Sequence, residues 1–156
     1  MFYPKCLRSA VLSAVTVMVV STAGSSEPIV FRDALDDTPL DLKLRTGDEL
    51  TDGLKEFYVT GVNPYRDQPE AVVRGGELYT EFCVMCHMAD GNGRFGPSLI
   101  DDVHINPRAG TDVGNFEIVM GGAFGAMRPF SDRMSQDEML KVLAYVDGLA
   151  TQAAAR

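Results

Sequence analysis

Two cysteines and a histidine lie within five consecutive residues, Cys83-Val84-Met85-Cys86-His87. Two thiols with this spacing, at the end of a helix, can reach the two vinyl groups along one edge of a haem. The histidine that follows then lies under the iron with a ring nitrogen directed at it. The C-x-x-C-H pattern therefore predicts one covalent haem c, attached through Cys83 and Cys86, with His87 as an iron ligand.

A C-x-x-C pair without the histidine would be less specific, because redox dithiols and zinc sites also contain it. Zinc would need two further ligands, and His104 is the one nitrogen donor that remains besides His87. A thioredoxin-like dithiol would require a strand followed by a helix, and the sequence contains no convincing strand pattern. Haem attachment is the interpretation that the surrounding sequence favours.

Residues 1–23 have the pattern of a cleaved secretory signal peptide. Lys5 and Arg8 precede a short apolar run over residues 10–20, and three small residues follow it. The run is too short to span a bilayer comfortably, although an uncleaved N-terminal anchor is the alternative. Because Cys6 would leave with the signal, both remaining cysteines belong to the haem motif and no structural disulfide is expected. We expect a periplasmic protein.

The chain is acidic, with a formal charge of −8 that becomes −10 when Lys5 and Arg8 are removed with the signal. This charge argues against binding nucleic acid or an anionic membrane surface, because phosphates would be repelled. It suits long-range attraction toward a partner with a basic patch. The alternative is that the acidity only keeps a soluble monomer in solution.

Hydrophobic periodicity predicts an all-α protein with two regions after the signal. Residues 24–64 form an N-terminal extension with one short helix, capped by Thr46 and Glu49 and ended by Gly61. Residues 65–156 form the haem domain.

Three further helices are predicted in the haem domain, the middle one short. The first runs from about Pro69 to the cysteines, the second spans about 112–120, and the last begins at a Ser135–Glu138 capping box. Gly75 and Gly76 are poor helix formers, so their presence in the first helix indicates a close crossing with another helix.

Met127 is the favoured sixth ligand of the iron. Glycine and proline bend the chain around it, and it lies 40 residues beyond His87, enough to wrap a haem. Met120, His104 or an open position are the alternatives, whereas Met139 is expected in the core. Histidine and methionine together leave no open position for a substrate and raise the reduction potential. We therefore expect an electron-transfer protein and not an enzyme.

These residues resemble the class I cytochrome c family. Gly75, Tyr79 and Cys83 follow its approach to the haem, and Val142 and Tyr145 resemble the contacts of its last helix. Its Gly-Pro-x-Leu loop is matched by Gly96-Pro97-Ser98-Leu99. The resemblance implies the class I fold wrapped around one haem. It also implies that the Pro97 carbonyl accepts a hydrogen bond from His87, that Leu99 packs on the haem and that Met127 binds the iron.

A narrower set of segments is similar to cytochrome cL. These segments are residues 40–44, 61–65, 91–99 and 107–112. This resemblance implies a periplasmic carrier that accepts electrons from a PQQ-dependent methanol dehydrogenase and delivers them to a smaller cytochrome c or an oxidase. The alternatives are a generic carrier for another dehydrogenase, a permanent subunit of such an enzyme, and a haem enzyme or gas sensor with a displaceable ligand.

Four further charged residues have open roles. Arg94 and Arg108 are candidates to neutralise the haem propionates, with solvated surface arginines as the alternative. Asp101 and Asp102 raise the question of a calcium ion near the haem, although the spacing is not that of a calcium loop.

Overall fold

The computed structural model describes residues 28–156, so the predicted signal peptide lies outside the described residues. Five helices follow one another along this part of the chain: α1 Asp52–Thr60, α2 Pro69–Phe82, α3 Val84–His87, α4 Asp112–Gly121 and α5 Gln136–Ala154. Within residues 28–156 there is no strand, and the β-type pairing is an isolated antiparallel bridge between Arg32 and Pro39. The prediction of an all-α fold is confirmed. None of the helices described is long and apolar enough to cross a bilayer.

Helix α1 begins later than the sequence pattern predicted. The predicted cap at Thr46 and Glu49 is wrong, because Thr51 is the N-cap and its hydroxyl accepts a hydrogen bond from the Leu54 N–H. The Thr51 hydroxyl also donates to the Asp137 carboxylate at 2.5 Å, so a contact with α5 decides where α1 starts. The predicted end at Gly61 is confirmed, and its φ of 69° is a conformation that glycine adopts without steric cost.

Helices α2 and α5 form the main helix pair of the fold. At their crossing, a Cβ atom on Gly75 would lie 2.0 Å from the Lys141 carbonyl oxygen. Only a residue without a side chain lets the two backbones approach so closely. The close crossing predicted from Gly75 and Gly76 is confirmed, with Tyr145 packing over Gly76.

Helix α5 begins at the predicted signal, and α4 spans nearly the predicted residues. Ser135 and Glu138 form the reciprocal capping box at the start of α5. Helix α4 is capped by Thr111 and is followed by Gly122, whose φ of 85° ends it.

The core contains side chains from the N-terminal extension as well as from the haem domain. Phe31 and Phe57 pack against Phe116 of α4, with ring centroids 5.6 and 5.0 Å away. All three rings are at least 96% buried. Residues 28–64 therefore share one hydrophobic core with the helices that follow.

Candidate haem site

The residues of the C-x-x-C-H motif lie at the junction of α2 and α3. Helix α2 ends at Phe82, and the Cys83 N–H donates to the Tyr79 carbonyl at 2.8 Å. The N–H groups of Cys86 and His87 then donate to the Cys83 carbonyl at 3.1 and 3.0 Å, which forms the single turn of α3. This local geometry places both thiols and the imidazole on one helical turn. Both cysteines are free thiols and half-buried.

The His87 ring is buried and held by one hydrogen bond. Its Nδ1 atom lies 2.9 Å from the Pro97 carbonyl oxygen, which is the pairing that the resemblance implied. A carbonyl can only accept, so Nδ1 must be the donor and carry the proton. In a neutral ring this leaves Nε2 with a free lone pair, the form of histidine that binds metals.

The loop that supplies Pro97 folds back over α3. The Cys86 carbonyl accepts hydrogen bonds from the N–H groups of Arg94 and Gly96, and the His87 carbonyl accepts one from Gly93. A Cβ on Gly96 would lie 2.6 Å from Cε1 of His87, so a side chain there would displace the ring. Gly96 therefore lets the loop backbone lie directly against the histidine ring.

Cys83 has a chemical environment that differs from that of a redox dithiol. Burial raises the pKa of its thiol to about 11. Redox cysteines have a lowered pKa, because the thiolate is the attacking species. The shift at Cys83 has the opposite direction. Arg133 lies beside this thiol, stacked over the rings of Phe82 and Phe130 at 5.2 and 4.7 Å.

Met127 lies in the loop that leaves α4. Its carbonyl accepts a hydrogen bond from the Ala123 N–H at 3.0 Å, and the Phe130 N–H donates to the Val119 carbonyl at 3.1 Å. These bonds close the loop against the end of α4. The Met127 side chain is half-buried and packs against the hydrophobic core.

The alternative ligands lie in different surroundings. Met120 is 95% buried in the core, as is Met139, which the sequence placed there. His104 is exposed, and its ring covers Gly110. These positions favour Met127 over both alternatives, because a core thioether and a surface imidazole already have other environments.

The other residues that the sequence singled out lie at or near the surface, except Leu99. Leu99 is half-buried against the core, and Arg94 is exposed with its guanidinium 5.2 Å from the Phe95 ring. Asp101 and Asp102 are exposed, and residues 28–156 contain no cluster of three or more acidic, cysteine or histidine side chains that could hold a metal.

Arg108 is held by two carboxylates. It pairs with Glu117 at 2.8 Å and with Asp37. Sequence reasoning missed this buried Glu117, although an acidic residue inside the apolar stretch Phe116–Met120 was a visible signal.

The residues at this site fit a covalently bound haem. Two unpaired thiols and an imidazole with a free lone pair share one helical turn, and a half-buried thioether lies in a loop closed against α4. Thioether bonds to the thiols and axial ligation by imidazole and thioether are the donor chemistry of haem c. The fold and the site together are those of a c-type cytochrome.

Comparisons with known proteins agree with this class. Residues 70–146 match the family described as Cytochrome C oxidase, cbb3-type, subunit III. The chain is 32% identical to cytochrome c-L of Methylorubrum extorquens over 139 residues, which cover 88% of this chain and 71% of the relative. The chain belongs to the cytochrome cL family, and it is an electron-transfer protein that carries one covalently attached haem c.

Two solved structures extend the similarity to three dimensions. Cytochrome cL from the marine methylotrophic bacterium Methylophaga aminisulfidivorans is 34% identical, with a TM-score of 0.75 over 77% of this chain and 80% of that one. Cytochrome cL from Hyphomicrobium denitrificans is 35% identical, with a TM-score of 0.73 over 78% and 73% of the two chains.

Proposed function

We propose that this protein is a periplasmic one-electron carrier that accepts electrons from a PQQ-dependent methanol dehydrogenase. The observation that carries this proposal is the likeness to cytochrome c-L over 88% of the chain. A likeness of that extent must include much of the N-terminal extension, which lies outside the more general match at residues 70–146. A smaller cytochrome c or an oxidase takes the electron in the next step.

The site residues have distinct roles in this proposal. Cys83 and Cys86 would form the thioether bonds that hold the haem, and His87 and Met127 would bind its iron. The Pro97 carbonyl holds the proton on Nδ1 of His87, and Leu99 contributes an apolar contact. Haem supplies an iron that changes its oxidation state by one electron. With both ligands bound the iron would have no open position, so that electrons would move with little rearrangement and no substrate would reach it.

The proposal also includes how the chain is organised. Residues 1–23 act as a cleaved signal peptide, 24–64 as an extension and 65–156 as the haem domain. The mature protein is a soluble monomer that meets its partners by diffusion. Its charge of −8 before cleavage supports attraction to a basic surface on the donor.

Mixing experiments test the donor. The oxidised, haem-loaded protein is mixed with methanol dehydrogenase and methanol, and the reduction of the haem is followed by absorbance. We expect fast reduction that slows as the salt concentration is raised, because screening weakens attraction between charged surfaces. An unrelated cytochrome c of similar net charge is the control. Equal rates for the two cytochromes would contradict the assigned donor.

A further inference from the structure

Glu117 is a buried carboxylate that joins α4 to the N-terminal extension. It is 2% exposed. Its Oε1 atom accepts a hydrogen bond from the Arg32 backbone N–H at 2.6 Å, and its Oε2 atom accepts one from the Arg108 guanidinium at 2.8 Å. The same guanidinium pairs with Asp37. Both oxygens of Glu117 are therefore satisfied, one by the extension and one by an arginine that also holds the extension.

The segment that Glu117 holds is a closed turn over residues 31–40. The Leu40 N–H donates to the Phe31 carbonyl at 2.9 Å, and the Asp33 N–H donates to the Thr38 carbonyl at 2.7 Å. Phe31 anchors the turn in the aromatic core. This segment is called the clasp.

The clasp also lies against the last residue of α4. A Cβ on Gly121 would come within 2.7 Å of the Asp33 carboxylate and 3.4 Å of the Leu40 side chain. Gly121 is buried by this contact. The clasp therefore contacts α4 at two places, Glu117 and Gly121, which lie one turn apart on the same face.

Gly121 is where the chain leaves α4 for the loop that contains Met127. The Gly122 N–H donates to the Ile118 carbonyl at 2.9 Å, and a Cβ on Gly122 would lie 2.9 Å from the Met127 carbonyl oxygen. The backbone at Met127 is thus packed against the same end of α4 that the clasp contacts.

We propose that the clasp and Glu117 are a positioning device that holds Met127 on the haem iron. This inference rests on the proposed role of Met127 as the sixth ligand. A thioether is a neutral ligand on a flexible side chain, so its binding depends on how firmly the backbone behind it is held. The clasp fixes the end of α4, and the end of α4 fixes the loop. Glu117 and Gly121 act through Met127 and touch no reacting atom.

The first test replaces the carboxylate with an amide of the same size. Glu117→Gln places an amide nitrogen opposite either the Arg32 N–H or the Arg108 guanidinium. Both of these groups are donors, so one of the two hydrogen bonds is lost. In the oxidised, haem-loaded variant, added imidazole should replace Met127 about tenfold faster, because a hydrogen bond to a charged group contributes roughly one decade. The reduction potential should also fall, since the methionine ligand raises it.

The matched control is Asp137→Asn, which removes a buried carboxylate of α5 that lies outside the clasp. Asp137 is 7% exposed and binds Thr51, Tyr65 and Lys141. The Asp137→Asn substitution should lower the melting temperature without changing the rate of imidazole binding or the reduction potential. Equal changes in both variants would show a general loss of stability and would overturn the inference.

A second pair of variants protects the test against poor folding of Glu117→Gln. Gly121→Ala pushes against the Asp33 carboxylate, whereas Gly148→Ala in α5 meets nothing within 4 Å. Faster imidazole binding in Gly121→Ala, with no change in Gly148→Ala, would support the clasp inference. If neither Glu117→Gln nor Gly121→Ala binds imidazole faster than the unsubstituted protein, the inference is overturned.

A separate measurement tests whether Met127 is the sixth ligand at all. The far-red charge-transfer band of sulfur bound to ferric iron is recorded in the unsubstituted protein and in Met127→Ala. A band that is present and lost in Met127→Ala establishes the ligand, whatever the clasp variants do. If the unsubstituted protein has no such band, both the ligand assignment and the clasp inference are overturned.

Discussion

The methionines within residues 28–156 differ widely in burial. Met120, Met134 and Met139 are at least 95% buried and fill the core, whereas Met85 beside the haem motif is 79% exposed. Met127 lies between these extremes, in a loop whose backbone is hydrogen-bonded to the Ala123 N–H. A ligand needs this combination, because its backbone must be held while its sulfur stays available.

Substitution of Met127 tests its assignment as the sixth ligand. In Met127→Ala the reduction potential should fall and carbon monoxide should bind the reduced protein rapidly, because the sixth position opens. The unsubstituted protein should bind carbon monoxide slowly or not at all. Potentiometry measures the reduction potential, and stopped-flow absorbance measures the rate of carbon monoxide binding.

The control for this substitution is Met85→Ala. Its side chain is exposed and precedes Cys86, so neither the potential nor the carbon monoxide rate should change. Rapid binding in the unsubstituted protein would favour the gas-sensor alternative and contradict a closed iron site.

The crossing of α2 and α5 sets the position of the haem motif. Helix α2 leads directly into Cys83, so any rotation of α2 moves the thiols. The helices meet backbone to backbone at this crossing. A Cβ atom on Gly75 would lie 2.0 Å from the Lys141 carbonyl oxygen. Backbone atoms cannot yield as a flexible side chain can, so the two helices would have to separate.

A methyl group at this crossing should therefore be costly. We expect Gly75→Ala to lower the free energy of unfolding by about 2–3 kcal/mol, the usual cost of overpacking, although alanine is the better helix former. Guanidinium denaturation of the haem-loaded protein measures the loss. Gly148→Ala is the control, and it should leave stability unchanged or raise it by up to about 1 kcal/mol. Equal stability of the two variants would contradict the close crossing.

Buried polar contacts join segments of the molecule that are distant in sequence. Asp137 of α5 accepts hydrogen bonds from Thr51, which caps α1, and from Tyr65 in the connection to α2. Lys141 completes the cluster at 2.7 Å. Burial by itself would raise the pKa of Asp137, but hydrogen bonds from Lys141, Thr51 and Tyr65 outweigh it, so the pKa lies below the ordinary aspartate value.

A lowered pKa in the folded state has a direct consequence for acid stability. The contribution of Asp137 is complete above the aspartate pKa of the unfolded chain, about 3.9, and is lost as the pH falls through the lower folded value. We expect Asp137→Asn to cost about 2–3 kcal/mol at neutral pH. Below about pH 4 its stability should fall less steeply with acid than that of the unsubstituted protein.

Denaturation at a series of pH values measures this difference in slope. Leu140→Val is the control, because Leu140 is fully buried beside the same turn and carries no charge. It should lower stability by about 1 kcal/mol and leave the acid slope unchanged. Parallel acid profiles for Asp137→Asn and the unsubstituted protein would contradict the depressed pKa.

Helices whose end signals are local could be predicted from the sequence with good accuracy. The Ser135–Glu138 box and Pro69 work through hydrogen bonds and dihedral angles within one turn, and both helices begin where these residues predict. The start of α1 was predicted wrongly because the local T-x-x-E pattern indicated Thr46, whereas Thr51 is the N-cap. The partner that favours Thr51 is Asp137, 86 positions away.

The haem motif is the feature that the sequence alone was sufficient to interpret. The reach of two thiols and an adjacent imidazole depends on one turn of helix, so their spacing carries the chemistry. The tertiary structure was needed for the environment of each ligand: the Nδ1 contact of His87, the half-buried loop of Met127 and the clasp on α4. These depend on long-range packing, as between Arg32 and Glu117, 85 positions apart, and no local pattern records such a contact.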